Sequence, residues 1–304
     1  MPHKAQHLFG AVALVTAVFI FTGGFVSARM YYDVGGTPPD VVALRYGVAA
    51  VVTLPMFIVS FGRLALEPGW PRSIGLALLG GAPFGLCVLT GVAGAPVTHG
   101  AGIVPALALI QGTLLSYWLL REPLPWTRLI GLAIALVGLA VLVWPELRTG
   151  AATWWGELSY IGAGILWGSF TVALRAWRIK PLQGAMLAAI FSLPYIAAYI
   201  AFLAPRIPEV ALLQTVGHGV YQGIVFNVLA MMLYGWGIGR LGAVAAVATM
   251  PLMPVFGALM EWFILGRVPL ATVWLAIALI TLGVAMTILA VRPTAPAKAA
   301  AGKR

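Results

Sequence analysis

Apolar residues come along this chain in long blocks, separated by short clusters of glycine, proline and charge. Ten blocks are legible, at 8–28, 40–60, 73–93, 97–119, 127–145, 155–174, 182–203, 211–235, 241–264 and 270–291. A hydrocarbon core about 30 Å thick needs roughly 20 apolar residues per spanning helix, and the blocks have that length. Strands of a membrane barrel would instead alternate in character over about 10 residues. The pattern therefore predicts an all-α membrane protein of ten transmembrane helices. The first block is too long for the core of a signal peptide, and no small-x-small cleavage site precedes a soluble domain. It reads as a retained first helix.

Composition sharpens the picture. The chain is 62% hydrophobic and 9% charged, with a mean hydropathy of +1.00. A soluble domain carries about a quarter charged residues, so this chain cannot clothe a water-facing surface. The net charge of +10 is mostly topological. With the N-terminus in the cytoplasm, Lys4, Arg63, Arg72, Arg121, Arg128, Arg175, Arg178, Lys180, Arg240, Arg292, Lys298, Lys303 and Arg304 fall inside. Only Arg29, Arg148, Arg206 and Arg267 fall outside, and Arg45 lies within a span. That bias predicts an inner-membrane protein with both termini cytoplasmic. Membrane lipid is the expected surroundings, anionic headgroups a secondary partner, and nucleic acid is not expected.

Ten spans divide into two sets of five, 1–145 and 146–304. An odd number per set inverts the second relative to the first, a design common among secondary transporters. A shift of 145 residues pairs Gly112 with Gly257, Leu120 with Leu265, Thr127 with Thr272 and Gly138 with Gly283. A shift of 146 pairs Gly10 with Gly156 and Arg29 with Arg175.

Several stretches carry a family likeness. "LLREPLPWTRLIGLAIALVGLAVL" (119–142) and "ILGRVPLATVWLAIALITLGVAMTIL" (264–289) have the same layout, with Arg267 where an acidic residue is expected. "LWGSFTVALR" (166–175) has a Trp-Gly pair in a repeat's first helix, and its partner "IFTGGFVSAR" (20–29) has Phe21 in place of tryptophan. "ALRYGVAA" (43–50) has an Arg-aromatic pattern. Together these resemble the EamA branch of the drug/metabolite transporter superfamily, small-metabolite and amino-acid exporters among them, over essentially the whole chain. The resemblance implies a ten-helix basket, with helices 1–4 and 6–9 around a central cavity and helices 5 and 10 peripheral. It also implies that the Trp-Gly position lines that cavity.

Polar groups at membrane depth are costly and by default mark a pathway or a packed interior. Span 8 carries Gln214, His218 and Gln222 at four-residue intervals, with Tyr221 on the same side, which predicts one polar stripe. Cavity lining and interhelical hydrogen bonding both fit it. Asn227 lies off the stripe and reads as a structural partner. His99 lies near the outer end of span 4, where either interfacial solvation or a cavity role would suit it; Gln111 is deeper. Arg45 could snorkel, attract a substrate carboxylate or hold a structural contact. Glu261 reads as an interfacial anchor. Phe21 and Trp167 form an aromatic pair related by the expected two-fold. Trp118, Trp126, Trp144, Trp154 and Trp155 lie near span ends as an interfacial belt. Pro83, Pro105, Pro194, Pro251 and Pro254 fall inside spans and can kink them. The glycine pairs 81/85, 164/168, 219/223 and 235/239 permit close crossings.

Absences narrow the function. No phosphate-binding loop and no HExxH or Cys/His ligand set is present, so neither an ATP-driven pump, a metal site nor an enzyme is expected, and no cofactor. All four lysines lie outside the spans, and the single cysteine, Cys87, permits no internal disulfide. No carboxylate sits at the centre of a span, which disfavours export of lipophilic cations. The expectation is a secondary transporter of a small polar or zwitterionic metabolite, with amino acids the leading class and export the direction. Alternatives are import of a sugar or nucleoside-like metabolite, multidrug efflux, and less readily a membrane-embedded enzyme. The expected substrate contacts are Phe21, His99, Gln111, Trp167, His218, Tyr221 and Gln222, with Arg45 for a carboxylate or for structure. Proton coupling and oligomeric state are left open.

Overall fold

A computed structural model describes residues 2–59, 67–150, 152–203 and 205–289. Arg63, Arg292, Lys298, Lys303 and Arg304, counted above for orientation, lie outside the described residues. No strand occurs among the described residues. Among the described residues ten helices are long and apolar enough to cross a membrane. Spans 1 to 5 are Gln6–Asp33, Pro38–Val59, Trp70–Gly94, Val97–Leu120 and Trp126–Thr149. Spans 6 to 10 are Trp154–Ala176, Pro181–Phe202, Leu212–Gly242, Ala245–Phe263 and Ala271–Leu289. The side on which span 1 begins is called proximal below, and the opposite side distal.

Several spans are broken, and the sequence shows where. Span 3 parts at Gly81 (φ −98°, ψ −140°) into Trp70–Gly80 and Ala82–Gly94, and Pro83 opens the second piece. Proline is suited to a first helical turn because no partner is needed there for an N–H. Span 7 parts in the same way into Pro181–Ile190 and Leu193–Phe202, with Pro194 opening the second piece. The two breaks meet. Ser192 Oγ donates to the Ala188 carbonyl (2.6 Å) and accepts from the Ala82 N–H (2.9 Å), so backbone freed by the breaks is satisfied inside the protein. A Cβ at position 81 would stand 2.3 Å from Ser192 Oγ, so only glycine permits this approach. Span 8 widens to a π-helix over Val220–Leu229, and span 9 turns at Pro251 before Leu252–Phe263. Pro105 stays inside a continuous helix.

The principal contacts pair up under exchange of span n with span n+5. Span 6 packs on spans 3 and 4, and span 1 on spans 8 and 9. Span 2 meets span 8, and span 7 meets span 3; the pairs 2·7, 4·9 and 5·10 map onto themselves. Spans 5 and 10 lie against each other along their length, as the peripheral pair. A Cβ at Gly283 would come within 2.5 Å of the Ala135 nitrogen and the Gly131 oxygen, so the backbones touch. The outer wall is apolar. Trp118, Trp126, Phe202 and Leu213 are 80% or more exposed, which water would punish and hydrocarbon requires.

Candidate functional site

A cavity of about 390 Å³ opens between spans 1, 8 and 9 in their distal half. That is within the ordinary size of a small-molecule site. Its walls are mostly apolar: Phe19, Val26, Met30, Met260 and Ile264, with Gly23 and Gly217 leaving room. Four polar side chains converge on it, namely Ser27, Gln214, His218 and Tyr221. Ser27 Oγ is 2.8 Å from His218 Nδ1, and the Tyr31 ring meets the imidazole edge-on at 5.0 Å. These contacts hold the ring, and His218 lines the cavity. Tyr221 donates to the Ile20 carbonyl (3.1 Å) and so pins span 8 to span 1.

The stripe expected on span 8 is not kept to its end. Gln214, His218 and Tyr221 face the groove, but Gln222 turns inward and is fully buried. Four-residue spacing drifts by about 40° per step around a 3.6-residue helix, and Gln222 lies on a π-helix that begins at Val220. Gln222 Oε1 accepts from Arg45 Nε (2.9 Å) and Nη2 (2.6 Å), and its Nε2 donates to the Gly24 carbonyl (2.7 Å). Arg45 is 1% exposed and reaches across to span 8 instead of snorkelling. The Phe226 ring lies under its guanidinium at 4.2 Å, and Nη1 has no partner. Gly24 permits this stack, since a Cβ there would sit 2.4 Å from Phe226.

The remaining expected residues lie elsewhere. Phe21 packs edge-on against Phe226 (5.5 Å) and Tyr234 (6.0 Å), beside the arginine. Trp167 is stacked between Phe84 (5.0 Å) and Phe170 (5.1 Å), so the two do not form a mutual pair. Gln111 packs its stem over Gly168 where span 4 crosses span 6. His99 is 1% exposed, not at a solvated interface. Its Nδ1 lies 2.5 Å from Glu157 Oε1, while His99 Nε2 and Glu157 Oε2 have no partner. Glu261 is likewise no exposed anchor: it is 5% exposed and caps span 4. It accepts from the backbone N–H of Val97 (2.8 Å) and Thr98 (3.0 Å) and from the Thr98 hydroxyl. A carboxylate there meets the positive end of the helix and its unsatisfied donors.

Ser27, Tyr31, Phe226, Glu157 and Asp40 were not singled out from the sequence. Asp40 accepts from the Tyr199 hydroxyl and the Arg206 N–H, joining spans 2 and 7 on the distal side. A serine in an apolar block and acids at block edges were the available signals. Nothing in one sequence pairs them with partners more than 50 residues away. Among the polar ties that cross between the first and second five spans on the distal side, three are made by a carboxylate: His99 with Glu157, Glu261 with span 4, and Asp40 with Tyr199. On the proximal side Arg175 bonds the Glu122 carboxylate and the Ser116 hydroxyl (3.3 Å).

The profile of the EamA-like transporter family matches twice, over residues 8–144 and 154–289. A protein of Streptantibioticus cattleyicolor described as a probable terminal-alkyne amino-acid exporter is 25% identical over 280 residues, covering 84% of this chain and 86% of that one. A protein of known crystal structure superposes with a TM-score of 0.60 at 20% identity, covering 94% of this chain and 97% of the other. That likeness concerns the fold alone.

Proposed function

The chain belongs to the EamA-like transporter family, and from that premise we propose that it exports amino acids or similar zwitterionic metabolites by alternating access. It is an integral membrane transporter and not an enzyme. The observation that carries the finer reading is the groove between spans 1, 8 and 9. Ser27, Gln214, His218 and Tyr221 converge there on an apolar wall, as a molecule with a polar head and a short apolar body requires. The description of the 25%-identical relative favours the same substrate class.

The proposed working parts are two inverted halves, 1–145 and 146–304. Their support is the double family match and the exchange symmetry of the contacts. The lysine and arginine bias favours the inner membrane, with both termini in the cytoplasm and the distal side outside. In this reading the three distal carboxylate ties between halves break and reform as the halves rock, and the breaks in spans 3 and 7 supply compliance. His218 and Tyr221 contact the substrate in the groove. Phe21, Gln111, Trp167 and Gln222 are proposed to meet the substrate in other states of the cycle. His99, engaged by Glu157, belongs to the ties.

Purified protein in proteoliposomes, assayed for counterflow of amino acids, sugars and lipophilic amines with and without a pH gradient, tests the proposal. Amino-acid flux is the expected result. Flux of sugars or amines with none of any amino acid overturns the substrate class.

A further inference from the structure

We propose that Arg45 is the site for the carboxylate of the transported molecule, and that Gln222 is a neutral stand-in which the carboxylate displaces. This rests on the transporter reading above and names the cargo's recognised group. A guanidinium keeps its charge under all ordinary conditions, and buried charges are normally paired. Among the described residues the ion pairs are Arg29 with Asp33, His99 with Glu157 and Arg175 with Glu122; none involves Arg45. Its side chain is nonetheless 99% withdrawn from solvent.

What it holds instead is informative. One oxygen of a neutral amide, Gln222 Oε1, spans both Nε (2.9 Å) and Nη2 (2.6 Å). That is the edge on which a carboxylate places two oxygens in a bidentate pair. Among the described residues Nη1 has no hydrogen-bond partner. Arg29, by comparison, bonds the Val92 carbonyl (3.2 Å) and pairs with Asp33. Beside Arg45 stands Tyr46, whose hydroxyl donates to the Gly80 carbonyl (3.1 Å), and among the described residues no carboxylate pairs with the guanidinium.

Gly23 and Tyr221 line the groove, and the next residues on the two helices, Gly24 and Gln222, are joined by the hydrogen bond from the Gln222 amide, whose oxygen holds Arg45. The proposed step releases that amide from the Gly24 carbonyl and hands the guanidinium edge to the cargo's carboxylate. Gln222 sits on the π-helical turn of span 8, a geometry that frequently marks functional positions and offers an alternative register. On the same turn Asn227 Nδ2 has no partner, so this segment's polar groups are not fully satisfied as it stands. The ligand class is a small organic acid or amino acid. An uncompensated cation at this point would repel amines lacking a carboxylate.

The test uses matched pairs, an amino acid against its methyl ester and against its decarboxylated amine. Thermal stabilisation in detergent and flux in proteoliposomes are both read. Wild type is expected to prefer the free acid at least tenfold in both. R45Q loses that preference. Q222E places a permanent carboxylate on the guanidinium; it is expected to be at least as heat-stable as wild type and to lose acid flux at least tenfold. Because Q222E should fold, a misfolded R45Q does not end the test. Q222E carrying acids at the wild-type rate, or R45Q keeping the acid preference, overturns the proposal. Equal handling of acids and esters by wild type overturns this site but leaves amino-acid transport standing. Arg45-dependent binding of simple carboxylates without amino-acid flux does the reverse.

Discussion

Glu261→Gln should loosen the N-terminus of span 4 by about 2–4 kcal/mol, as the loss of charged hydrogen bonds exceeds the gain from burying an amide. The carboxylate accepts two backbone bonds, at 2.8 Å from Val97 and 3.0 Å from Thr98, as well as the Thr98 hydroxyl. Hydrogen bonds to a charged group contribute about 1.5–3 kcal/mol each, so the two backbone bonds together bring roughly 3–6 kcal/mol. Glutamine keeps one acceptor oxygen, now neutral, and a bond of that kind contributes about 1 kcal/mol. Its amide NH2 faces the other N–H, and a buried donor left unsatisfied costs about 1–3 kcal/mol. Against these losses stands relief from holding a charge at 5% exposure. The assay is equilibrium unfolding of the purified protein by SDS titration from mixed micelles. Glu122→Gln is the control, since Glu122 pairs with an arginine that is 57% exposed and should change stability by less than about 1 kcal/mol. If Glu261→Gln unfolds within about 0.5 kcal/mol of wild type, the size of an ordinary surface change, the carboxylate does not hold span 4 and the reasoning fails.

Three further outcomes follow from the packing and the groove. His99→Ala leaves Glu157 buried without its partner and should cost about 3–5 kcal/mol in the same titration, with most of the loss recovered in His99→Ala/Glu157→Gln; no recovery would show that the pair is not the cause. Gly283→Leu forces a side chain into backbone at 2.5 Å and should destabilise the span 5–10 crossing by about 1–3 kcal/mol, while flux per folded molecule stays near wild type because these spans are remote from the groove. Gln214→Cys, at the exposed distal end of the groove, in a Cys87→Ala background should react with a membrane-impermeant maleimide added outside intact cells, whereas Arg178→Cys in that background should not; the opposite pattern refutes the orientation.

Ten membrane helices were legible because hydrophobic length is a local property. Each block, such as 97–119 or 127–145, exceeds what hydrocarbon requires without reference to any other block. The prolines marked where a helix could break but not which would: spans 3 and 7 part beside Pro83 and Pro194, whereas Pro105 stays inside a continuous helix. Periodicity placed Gln214, His218 and Tyr221 on one side of span 8, and it did not show that Gln222, on the π-helical stretch, is buried. Partnership was beyond its reach. His99 and Glu157 are 58 residues apart and Arg45 and Gln222 are 177 apart, and a buried charge looks the same in a sequence whether its partner is water, an acid or an amide. Glu261 read as an interfacial anchor because its position near a span end is a one-dimensional fact. Its burial follows from span 9 lying against the start of span 4. The sequence alone determined that this chain lives in a membrane as ten helices, because the bilayer acts on each segment separately. Which polar groups meet, and where a cavity is left between them, only the tertiary packing decided, because hydrogen bonds depend on angstroms between helices and the order of residues does not encode those distances one span at a time.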